Sequence, residues 1–127
     1  MTFVLLTIDD VVAIHDYVLD DHELQGLAGD KFLDGALGRV ENRLKYGLIT
    51  DVFELAASYA AAISQAHCFN DGSKRTTFQV MDVVLDLNGG QMTWDTEVIG
   101  QKMVLLAQSK LDDAGFADWL RQQAKQS

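Results

Sequence analysis

The chain has 127 residues, of which 48% are hydrophobic and 23% charged, enough for one domain with its own core and a composition unlike that of a disordered protein. Lys and Arg total 10 against 19 for Asp and Glu, a formal net charge of −9. That sign argues against general nucleic-acid binding, which rests on cationic contacts to phosphates, and against an anionic membrane surface as partner. No apolar run approaches the roughly 18 residues of a membrane span. The apolar start Phe3-Val4-Leu5-Leu6 lacks the basic residues of a secretory signal. The single cysteine, Cys68, can make neither an internal disulfide nor a Cys-rich zinc site. A cytoplasmic protein is expected. Without prolines, repeats or a glycine-rich linker, residues 1–127 read as a single domain.

Helical periodicity runs almost throughout. Ile8, Val11, Val12, His15, Val18 and Leu19 share one face of a first helix that Thr7 can cap, and His15 on that stripe reads as a core histidine. Leu33, Leu37, Val40 and Leu44 form the face of a second helix, closing near Gly47. A third begins at Asp51, with Glu54 in capping-box position, and continues through Phe53, Ala56, Ala60 and Ile63. After a polar break at 67–75, a fourth runs to about Leu87 and stops at Asn88-Gly89-Gly90. Its apolar residues cover most of its circumference, which predicts the central buried helix. Two more are expected at 96–108 and 113–124, with Trp94, Phe116 and Trp119 as packing residues, while residues 2–6 and 91–94 could pair as a minor β-hairpin. The fold class is all-α, compact, with about six helices.

The break carries the chemistry: His67-Cys68-Phe69-Asn70-Asp71-Gly72-Ser73-Lys74-Arg75. It precedes a helix whose first N–H groups have no intrahelical acceptor, which makes an anion site. Asp71 can cap that helix, and Gly72 permits close approach of a phosphate to the backbone. Lys74 and Arg75 oppose the helix dipole unless an anion is bound, a local conflict of the kind found at functional sites. His67 is then the candidate general base, Asp71 the candidate Mg²⁺ ligand and Phe69 an apolar peg. The set suits phosphoryl transfer, which depends mainly on positioning and charge neutralisation. Cys68 reads as inert, and His22 as exposed.

At these residues the sequence resembles the Fic/Doc family, whose core motif is His-x-Phe-x-(Asp/Asn)-(Ala/Gly)-Asn-(Lys/Gly)-Arg, and within it most closely the death-on-curing toxin branch. The likeness extends from residues 8–16 through Tyr46 and residues 51–57 to about Gly89. It implies a Fic fold, ATP with Mg²⁺, and a protein kinase that transfers the γ-phosphate to a threonine of elongation factor Tu and arrests translation. By the same resemblance His67 is the base and Asp71 the metal ligand. Asn70, Gly72, Ser73, Lys74 and Arg75 line the nucleotide, and Lys74 and Arg75 hold its phosphates. Ser73 stands where the family has Asn, which implies a looser anion hole.

Two readings stand beside the kinase. AMP-transferring members resemble His-x-Phe-x-x-Gly-Asn-Gly-Arg-x-x-Arg, whereas this chain has Lys74 for the second glycine and Phe78 for the second arginine, which favours γ-phosphate transfer. A module weakened by Ser73 that mainly binds its antitoxin is the other. The resemblance also implies a small Phd-like antitoxin that folds a helix into a groove beside the site, where an acidic groove with an apolar floor would suit a basic helix. Residues 23–34 occupy the place of a flap that holds the target peptide.

Overall fold

The computed structural model describes residues 2–19, 30–66, 73–90 and 92–126, apart from the side chains of residues 30–32, 73, 125 and 126. Among the described residues six helices follow one another: α1 (Ile8–Val18), α2 (Asp30–Lys45), α3 (Val52–Ala66), α4 (Ser73–Leu87), α5 (Thr96–Ala107) and α6 (Asp113–Gln126). None of them is long and apolar enough to cross a membrane.

Local sequence explains most of the boundaries. Thr7 caps α1 with its hydroxyl accepting from the Asp10 N–H, and Asp10 returns the bond to the Thr7 N–H at 2.9 Å. Gly47 and Gly89 take φ of +73° and +80° just past α2 and α4. There the next N–H reaches back to Arg43 and to Leu85 in the same 6→1 closure. The α5 end closes the same way with Ser109 at φ 58°, a serine in the place that favours glycine.

The expected capping box of α3 forms with a shift of one residue. Asp51 accepts the Glu54 N–H at 2.8 Å, but the Glu54 carboxylate takes the N–H and hydroxyl of Thr50 instead of the Asp51 N–H. Arg121 on α6 then ties that end down through Asp51 and Glu54. Burial works to raise the Asp51 carboxyl, yet the bonds from Arg121 and the Glu54 N–H outweigh it and hold it below its usual range. The two Thr50 bonds lower Glu54 likewise.

The central helix is α3, a correction to the expectation that α4 would be. Leu55, Ala56, Ala57, Tyr59, Ala60 and Ile63 are buried all round α3, where the small alanines let α2, α4, α5 and α6 approach together. On α4 one side is buried through Val80, Met81, Val84 and Leu85, while Leu87 is half exposed. His15 is fully buried, as expected of a core histidine. Phe116 is buried and meets Trp119 edge to face, and Trp94 meets Phe78 in the same way while its Nε1 donates to Asp82.

The minor hairpin does not form among the described residues. Residues 2–6 are extended, but side chains take their backbone groups. Asn88 accepts from the Val4 N–H and donates to the Val4 carbonyl, and the Tyr59 hydroxyl accepts from the Leu6 N–H. Residue 91 lies outside the described residues, and 92–95 are irregular.

Candidate active site

The site is built at the start of α4, against the end of α1. The helix begins at Ser73, so the N–H groups of its first turn point out of its N-terminal end without intrahelical acceptors. No acidic residue stands in that turn, and Lys74 and Arg75 are both exposed there. Arg75 crosses to α1, where Nη1 donates to the Val18 carbonyl at 2.9 Å, so the guanidinium is fixed against the C-terminal end of that helix. A cation at a helix C-terminus is favourable, which offsets its misplacement at the N-terminus of its own helix. Lys74 has no hydrogen bond or ion pair among the described residues.

Beside these cations lies a cavity of about 340 Å³ between α1, α4 and α5, with Val18, Phe78, Ile99 and Met103 among its walls and Lys74 and Arg75 at its mouth. Its walls are mainly apolar, and Lys74 and Arg75 are the charged residues that line it. The size is that of a ligand pocket.

Below the cations, Thr76 and Thr77 are buried, and the Thr76 hydroxyl has no hydrogen-bond partner among the described residues. Leaving a buried hydroxyl unpaired costs about 1–3 kcal/mol. Sequence reasoning missed Thr76. Its one available signal was a polar residue on the inward side of an otherwise apolar helix.

Of the sequence-derived site, the structure brings Lys74 and Arg75 together at one cavity mouth and places Ser73 as the first residue of the helix. His67, Asn70, Asp71 and Gly72, with Cys68 and Phe69, lie outside the described residues, as does His22. So do residues 23–29 of the expected flap, while residues 30–34 are the opening turn of α2. Among the described residues no group of three His, Cys, Asp or Glu side chains could hold a metal ion.

A bundle in which α2, α4, α5 and α6 pack around α3, with a cation-bearing helix start beside a cavity, defines a class that the sequence comparison identifies. The Fic/DOC family pattern matches residues 5–85, and the chain belongs to that family. It is also 32% identical over 114 residues to "Protein kinase doc" of Escherichia phage P1, an alignment spanning 89% of this chain and 90% of that protein.

Proposed function

We propose that the protein is a protein kinase toxin that transfers the γ-phosphate of ATP to a hydroxyl of a target protein, with a threonine of elongation factor Tu as the acceptor. The observation that carries this reading is the pair Lys74 and Arg75, set on the first turn of α4 at the mouth of an apolar cavity. The pair sits in a chain similar over nine tenths of its length to a protein named as a kinase. Free N–H groups of a helix start, together with two cations, suit the oxygens of a polyphosphate.

In this mechanism Lys74 and Arg75 bind the phosphates and neutralise the charge that shifts during transfer. Arg75 is aimed by its bond to Val18, so part of its orientation is set before the nucleotide arrives. His67 takes the proton from the acceptor hydroxyl as the new O–P bond forms and the bond from the γ-phosphorus to the β,γ-bridging oxygen breaks, with ADP as the leaving group. Asp71 would hold Mg²⁺, and the ion would supply charge neutralisation during transfer. Ser73 offers a hydroxyl donor to the anion hole where the family has an amide. Lys74 in place of glycine and Phe78 in place of a second arginine favour this reaction over AMP transfer.

A helical antitoxin fits the cavity beside the site. The apolar walls from Phe78, Ile99 and Met103 would take apolar residues at helical spacing, and the cationic mouth calls for a carboxylate on that helix. The test of the whole reading is transfer to purified elongation factor Tu, with His67→Ala as the control. Wild type should label the factor, and His67→Ala should be slower by about 10²–10⁴ while keeping its fold. Equal labelling by both would contradict the reading.

A further inference from the structure

A second cavity, of about 360 Å³, opens between α2, α3 and the turn that joins α5 to α6, and it shares no lining residue with the cavity beside Lys74 and Arg75. Val40 of α2, with Ala61 and Ala62 of α3, gives it an apolar floor. Its polar lining divides into groups that the fold uses and groups that it does not. Both carboxylates are used: Asp113 pairs with Arg43, and Asp112 accepts the Gly115 N–H at 2.7 Å at the start of α6. Arg39, Ser58, Gln65 and Ser109 are not, since none of their side chains makes a hydrogen bond or ion pair among the described residues.

Three of these open positions are costly to the chain. Ser58 is only 4% exposed, and a hydroxyl so buried is ordinarily paired. A helical serine has an acceptor within reach in the carbonyl four residues back, and Ser58 does not take it. Arg39 stands one turn before Arg43 on α2, yet in a chain with 19 acidic residues it has no counter-charge among the described ones. Ser109 keeps a side chain at the rim although its φ of 58° favours glycine. The open groups amount to one full positive charge, two hydroxyls and an amide above an apolar floor, with no carboxylate left over. Such a set matches an anion, because a guanidinium meets carboxylate or phosphate oxygens as a fork and a hydroxyl adds a further donor.

We propose that this cavity binds a small organic oxyanion, a carboxylate or a phosphate monoester, whose charged head sits between Arg39 and Ser58 and whose apolar body lies on Val40, Ala61 and Ala62. An apolar hollow with a few convergent polar groups is the usual form of a small-molecule site. The proposal goes beyond the kinase reading and does not depend on it, because none of these residues belongs to the motif at 67–75.

The test titrates benzoate and phenyl phosphate into the full chain and follows the amide NMR shifts. At least one of the two should saturate and move the amides of Arg39, Ser58 and Ser109, and the tighter of them assigns the head group. Benzyl alcohol, a ring without the charge, and inorganic phosphate, a charge without the ring, should each bind more weakly by about ten-fold or more. Arg39→Gln should weaken the better anion by roughly ten-fold or more, and Ser58→Ala by about two- to ten-fold. Both variants should keep or raise the thermal midpoint, because neither side chain makes a bond among the described residues. Lys74→Ala, at the other cavity, should leave the shifts at Ser58 and Ser109 as in wild type. No saturable shift with either anion would overturn the proposal, as would wild-type affinity in Arg39→Gln. So would equal affinity for benzyl alcohol or for inorganic phosphate, or a loss in Lys74→Ala as large as that in Arg39→Gln, which would place the anion at the start of α4 instead.

Discussion

Arg75 and Lys74 should separate when each is replaced by alanine, because among the described residues Arg75 has a structural bond and Lys74 has none. Arg75→Ala removes the bond from Nη1 to the Val18 carbonyl, an exposed contact worth about 0.5–1.5 kcal/mol net. For a chain of this size that lowers the thermal midpoint of the nucleotide-free protein by about 4 °C. It also removes a charged phosphate ligand, worth about 1.5–3 kcal/mol, so ATP affinity in Mg²⁺ should fall by roughly 10- to 150-fold. Lys74→Ala should lose affinity by a comparable factor while the midpoint of the free protein stays within about 1 °C, since Lys74 makes no hydrogen bond or ion pair among the described residues. Calorimetric titration with ATP and a thermal melt of each variant read the two quantities separately. The reasoning is refuted if Arg75→Ala melts lower yet binds ATP as well as wild type, for then the guanidinium is only a clasp between α1 and α4.

Ser73→Asn should raise the transfer rate by up to about ten-fold, by replacing a short hydroxyl with an amide that reaches further, and Ser73→Ala should lower it; the rates of both variants against one protein substrate check this. Identical rates in all three would remove the side chain at 73 from the anion hole. Asp51 and Glu54 titrate below their usual range in the folded chain, so their contribution to stability is present above about pH 4 and is lost as the pH falls through their lowered values. Asp51→Asn, which keeps a capping side chain, should therefore show a smaller loss of midpoint between pH 5 and pH 3 than wild type in thermal melts over that range.

Helices and their ends were legible because they are set locally: Thr7 and Asp10, Gly47 and Gly89 act on neighbours within a few residues. The identity of the central helix was not. Periodicity counts apolar residues, and α4 has many large ones, but burial on all sides falls to α3 because its alanines let four helices close around it. Contacts between distant residues were equally invisible, among them the salt bridge from Arg43 to Asp113, the clasp of Arg121 on Asp51, and the grip of Asn88 on Val4 that displaces a hairpin. At the candidate site, the chemistry of Lys74 and Arg75 was readable from their place before an apolar helix. The bond to Val18 and the Thr76 hydroxyl without a partner among the described residues depend on how α1 and α4 pack, which no local pattern records.

The central claim is the transfer of a γ-phosphate, and position-specific label tests it most directly. Elongation factor Tu incubated with the protein, Mg²⁺ and ATP labelled at the γ-phosphorus should become labelled, and the same incubation with ATP labelled at the α-phosphorus should leave it blank. Label from the α-position would show AMP transfer instead, and no label from either, with ATP binding intact, would show a module that binds nucleotide without using it.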